Sequence, residues 1–100
     1  MAHFAEVNEK NEVVNVIFVD NDDINNTDFP ISENIGREFL KKHIETNNIF
    51  YQTSYNRNFR GNYGETGSYY DQKLDEFILP YEFKIIPDIG DIGPQTSDTR

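Results

Sequence analysis

The run VVNVIFV, residues 13–19, constrains this chain most. β-branched and aromatic side chains fill nearly every position, which favours a strand over a helix. At a period of two, Val14, Val16 and Phe18 share one face. Val13, Ile17 and Val19 share the other with Asn15. Apolar residues on both faces need cover on both, from the chain itself or from a partner. Just upstream, HFAEV at residues 3–7 alternates as a second strand, and Glu9, Lys10 and Asn11 break the pattern. Residues 3–19 are therefore expected to form a hairpin.

Such a strand must find its cover within 100 residues, which fits one domain with a thin core. Only 36% of the chain is hydrophobic and the mean hydropathy is -0.74. The 14% aromatic content argues for a folded domain all the same, because Tyr and Phe bury large areas per residue. There is no Cys, hence no disulfide, thiolate metal site or thiol nucleophile. The opening MAHFAEVNEK lacks the basic-then-apolar pattern of a signal peptide. No apolar run approaches the roughly 20 residues that span a bilayer.

The net charge of -9 is unevenly placed. Residues 1–33 carry eight acids against Lys10, whereas in residues 49–71 Arg57 and Arg60 balance Glu65 and Asp71. An acidic chain is repelled by phosphate backbones and anionic lipid, so neither nucleic acid nor membrane is an expected partner. The charge itself serves solubility.

Residues 20–32, DNDDINNTDFPIS, read as a polar loop of turn-forming residues. Ser32 suits an N-cap with Glu33 in the first turn, and ENIGREFLKKHIE follows as the one clear helix. Ile35, Phe39, Leu40 and Ile44 form its apolar stripe. Gly36 inside it costs about 1 kcal/mol against Ala, which suggests close packing there. IFYQTSYN reads as a third strand, residues 56–67 as a loop punctuated by glycines, and GSYYDQKLDEFIL as a second hairpin turning at 71–75. The last twenty residues, with the tandem DIGDIG between Pro87 and Pro94, read as an extended arm whose isoleucines cannot make a core alone. The expected fold is α+β: a small, mostly antiparallel sheet of two hairpins and a middle strand, with one helix. Residues 1–80 form the domain and 81–100 the arm.

Catalytic and metal signatures are weak. In the EF-hand pattern Asn21, Asp23 and Asn25 take the first oxygen positions, but Asn26 stands at the required Gly and Ser32 at the required Glu. His3 and His43, the two histidines, fall in neither HExxH nor HxH. No serine has a GxSxG context, and GNYGETG lacks the Lys and the setting of a phosphate loop. We expect no enzyme, no cofactor and no metal site. The central segment QTSYNRNFRGNYGETGSYYD, residues 52–71, stands out instead. It holds four of the six tyrosines and interleaves them with arginine, a pairing that dominates protein–protein hot spots. Core packing by the same tyrosines is compatible with that reading. Tyr55, Arg57, Phe59, Arg60 and Tyr63 are candidate partner-binding residues, with Arg57 and Arg60 available to an acidic surface. Ile85, Ile86, Ile89 and Ile92 of the arm join them, as contacts to a partner or to a second copy.

MAHFAEV, VVNVIFVDN, GREFL and YQTSYNRNFRGNYGETGSYYDQKLDEFILP together resemble a family of short proteins of tailed bacteriophages, particularly marine ones. That family opens with MAHFA and carries QTSYN, an FRKNYAGIGYTYD-like segment and a D-x-F-x-x-P ending. Gln52 to Asn56, Phe59, Arg60, Asn62, Tyr63, Gly67, Tyr70, Asp71, Asp75, Phe77 and Pro80 fall on this pattern. Glu65–Thr66 replaces its Gly-Ile, and the Ile/Gly/Pro arm replaces a Pro- and Trp-containing ending. The resemblance covers residues 1 to 80 and implies a structural role in the virion. A capsid decoration (cement) protein holding the major capsid protein is the first expectation, and a tail or neck component the next. A different class is a non-virion regulator or chaperone whose acidic surface occupies a basic site on a host or phage protein.

Overall fold

The hairpin expected around VVNVIFV forms. In the computed structural model, which describes residues 1–80, β1 (Ala2–Val7) pairs antiparallel with β2 (Val13–Val19), Phe4 opposite Ile17. The turn closes on Asn8, whose side-chain oxygen accepts the backbone N–H groups of Lys10 and Glu12. Asn11 takes the left-handed conformation there, which Asn tolerates. The arm, with Ile85, Ile86, Ile89 and Ile92, lies outside the described residues.

β3 (Ile49–Thr53) adds to the free side of β1, giving an antiparallel sheet of order β2–β1–β3. A separate hairpin, β4 (Tyr69–Asp71) with β5 (Glu76–Ile78), completes the strands. A short 3-10 helix, Asn21–Ile24, and one α-helix, α1 (Ile31–His43), lie between β2 and β3. The α+β class read from the sequence is the fold observed.

Each face of the sheet carries a buried cluster built by the chain itself. On one face Ala2, Phe4, Val19 and Phe50 pack with Leu40 of α1 and with Ile24, flanked by Ile17, Ile35, Phe39 and Ile44. On the other, Ala5, Val7 and Val13 pack with Tyr70 and Phe77 of the β4–β5 hairpin, flanked by Val16 and Tyr51. The sheet is thus the middle layer between a helix and a hairpin. Two glycines permit the close approaches. A Cβ on Gly36 would overlap the ring of the fully buried Phe4, and one on Gly64 would sit 2.6 Å from the Phe77 ring.

Two local expectations need correction. Val13 does not share a face with Ile17 and Val19. A β-bulge shifts the register between Glu6 and Val7, so Val7 faces Val13 and the intervening Val14 is left exposed. One inserted residue reverses the alternation beyond it. Nor is Ser32 the N-cap of α1. The helix starts at Ile31 with Pro30 at the cap position, and Ser32 lies within its first turn, fully buried. Its hydroxyl donates sideways to Gln52 Oε1 of β3 at 2.6 Å, across the helix–sheet interface. Glu33 does stand in the first turn, as expected.

Candidate partner-binding site

The segment after β3 is held by its own backbone. The N–H of Arg57 donates to the Ser54 carbonyl, and that of Asn58 to the Ser54 hydroxyl. Arg57 and Arg60 both adopt φ 58°, in the left-handed region. For side chains this large such a backbone is costly and survives only where the surroundings hold it. At Arg60 the reason is visible, because that turn aims its side chain into the protein.

The Arg60 side chain is 9% exposed. Its guanidinium meets Glu33 with both terminal nitrogens, a fork that fits a carboxylate. Nη1 also donates to the carbonyl of Gln52 at 3.1 Å, and Nε to Asp75 Oδ1 at 2.8 Å. The Tyr70 hydroxyl donates to the same Asp75 oxygen. Aromatic faces enclose the cation: Phe29, Tyr51 and Tyr70 have ring centres 4.9, 5.4 and 5.8 Å from its central carbon. Phe59 stacks on Phe29, rings 4.0 Å apart and nearly parallel.

This cluster also closes one side of the sheet. β3 is an edge strand, and the outward N–H of Gln52 donates to Glu33 Oε2 at 2.8 Å. The outward carbonyl of Gln52 accepts from Arg60, and that of Phe50 from Arg37 Nε. Side chains from α1 and the loop thereby stand where a further strand would. Arg37 meets Glu33 as well, at 3.7 Å. Arg60 is consequently committed within the chain rather than available to an acidic partner, and Phe59 is half-buried beside it.

Tyr55, Arg57 and Tyr63 are placed differently. Tyr55 is 68% exposed and Arg57 is exposed, with no carboxylate partner among the described residues. Tyr55 and Tyr63 meet edge to face at 5.2 Å. The cluster extends onto the sheet through residues that sequence reasoning did not single out. His3 of β1 lies 5.6 Å from the Tyr63 ring, and its Nδ1 shares a hydrogen bond of 3.2 Å with the Tyr63 hydroxyl. Phe18 of β2, opposite His3 in the register, packs its ring at a tilt against it, centres 4.6 Å apart, and is 57% exposed. The signal for Phe18 lay in the alternation of VVNVIFV, but the partners that make it part of a patch come from residue 55 onward.

Electrostatically the patch is quiet. Burial, and then the positive N-terminus, push the His3 pKa down, so its ring is neutral at neutral pH. Burial, then the neighbouring Tyr55 and Glu65, push the Tyr63 hydroxyl up, so it stays protonated. The result is a neutral aromatic surface with the Arg57 guanidinium at its rim, unpaired among the described residues, on a chain of net charge -9. Among the described residues no group of three or more His, Asp or Glu side chains is placed to hold a metal ion, and no helix is long and apolar enough to cross a membrane. The Asp/Asn loop contains the 3-10 helix, with Asn25 and Asn26 left-handed after it. Comparison with protein-family models, with curated proteins and with solved structures found no match.

Proposed function

We propose that this protein is a structural component of a tailed-phage virion, a capsid decoration protein that binds the major capsid protein and acts by binding rather than catalysis. The observation that carries the proposal is the neutral patch of Tyr55, Tyr63, His3 and Phe18 with Arg57 beside it. Tyrosine and arginine are among the residue types that supply most of the energy in protein interfaces. Large apolar rings left in solvent have an energetic reason to be covered. The resemblance of residues 1–80 to short phage proteins supplies the context.

Mass spectrometry of purified virions tests the reading. The protein is expected at high copy number with the head, and Tyr55→Ala combined with Arg57→Ala is expected to reduce its occupancy on particles. Neither side chain supports the core, so the variant should retain its circular dichroism spectrum and melting point. Recovery with tails would favour the tail or neck reading. Presence in infected lysate with exclusion from particles would replace both by an acidic regulator or chaperone.

A further inference from the structure

The two edges of the three-stranded sheet are treated in opposite ways. That of β3 is closed by Glu33, Arg60 and Arg37. That of β2 is closed at its start, where Val13 exchanges backbone hydrogen bonds with Ser68 and Gly67, and Asn11 accepts from Tyr70. Beyond Val13 the cover stops. Gln52 turns its N–H and carbonyl away from β1, so Phe4 opposite it turns its own toward Ile17. The outward groups of β2 are therefore those of Val16 and Phe18. The N–H of Val16 is held by the neighbouring Asn15 side chain at 2.9 Å, and no other backbone bond leaves this edge among the described residues.

An open edge is ordinarily guarded by a charge, a proline or a covering loop. Residues 13–19 contain no charged residue, no Pro and no Gly. Exposed Val14 and Phe18 flank the open stretch. An uncharged apolar strand fits this edge, and β2 itself is one. On a chain of net charge -9, most ways of bringing two copies together set acid against acid. Antiparallel pairing of this strand with itself does not.

We propose that β2 pairs with β2 of a second copy, antiparallel about a two-fold axis at Ile17, to form one continuous sheet. In this register Phe18 lies opposite Val16 of the second copy, and such pairs exchange two hydrogen bonds each. Ile17 lies opposite Ile17, and Val19 opposite Asn15. Asp20 falls opposite Val14, and within the paired residues 14–20 no two carboxylates stand opposite each other. The interface is isologous, as expected for a closed dimer. This inference stands apart from the virion reading, because a dimer would form in purified protein with no particle present.

Two measurements on the full chain test it. Sedimentation velocity should show a concentration-dependent dimer, and Phe18→Glu should weaken its association by about tenfold or more while leaving the monomer folded. The chain has no native cysteine, so Ile17→Cys offers an independent readout. Opposed residues of this kind lie about 4.5 Å apart, within the span of a disulfide. Mild oxidation should cross-link that variant into a covalent dimer, while Lys41→Cys on the exposed side of α1 stays monomeric. A monomer at every concentration, a dimer indifferent to Phe18→Glu, or equal cross-linking of the two cysteine variants would overturn the proposal.

Discussion

Arg60 shows how much one residue decides here. Its side chain ties α1 through Glu33, the sheet through Gln52 and the β4–β5 hairpin through Asp75. Removing Arg60 leaves the buried Glu33 carboxylate with only the Gln52 N–H and Arg37 at 3.7 Å, at a cost of about 2 kcal/mol or more. Arg60→Ala should therefore lower stability by that amount in urea titration, and Arg60→Lys should recover only part, because an ammonium cannot bridge all three sites with one fork. A loss below about 0.5 kcal/mol, typical of an exposed pair, would contradict this assignment. Ser68 gives the converse case. Its hydroxyl is buried without a hydrogen-bond partner among the described residues, so Ser68→Ala should be neutral or stabilise by about 1 kcal/mol. Composition flagged Arg60 within an aromatic, near-neutral segment, but could not separate it from Arg57. Both take the left-handed conformation, and it is Glu33, Gln52 and Asp75, brought together from distant segments, that hold Arg60 inward while Arg57 stays in solvent.

At the scale of elements, α1 and β2 carry the argument. Replacing Gly36 by Ala sets two effects against each other. Helix propensity alone favours Ala by about 1 kcal/mol. Overlap of the new methyl group with the Phe4 ring costs about 1–3 kcal/mol. Phe4 is fully buried and has little room to retreat, so packing should win and Gly36→Ala should lower the thermal midpoint; a rise would show that the ring yields. The apolar stripe of α1 was legible because Ile35, Phe39, Leu40 and Ile44 recur at helical spacing and all reach the same core. The start of the helix was less so, since Ser32 bonds Gln52, a partner 20 residues away. In β2 the strand itself was plain, whereas the bulge at Glu6–Val7 was not. A bulge belongs to a pair of strands, and a single run of sequence does not state its register.

For the whole molecule, the shifted groups place the pH range of greatest stability. His3 is held below its ordinary 6.5, so its contribution is complete when the ring is neutral and declines as pH falls through that value. Burial alone would raise the Asp75 carboxyl, but the Tyr70 hydrogen bond and the Arg60 charge together hold it below its ordinary 3.8. Its contribution is present above that value and is lost as pH falls through the folded pKa. Burial, and then the hydrogen bond to Asp75, raise the Tyr70 hydroxyl above its ordinary 10.0. Its contribution is present below that value and is lost as pH rises through the folded pKa. Thermal melts should plateau from about pH 7 to pH 10 and decline on both sides. Asp75→Asn should lower the plateau and flatten the more acidic part of the decline; an acid limb identical to that of the parent would remove Asp75 from this role. By itself the sequence determined the α+β class, the strands and helix, and the demand of VVNVIFV for cover on both faces. Those follow from local periodicity and side-chain shape, which every short window states. Tertiary structure alone decided which layers supply the cover, that Arg60 turns inward while Tyr55 and Arg57 turn outward, and that β3 is closed while β2 stays open. These depend on residues distant in sequence meeting in space, and on a register and a turn that no single window encodes.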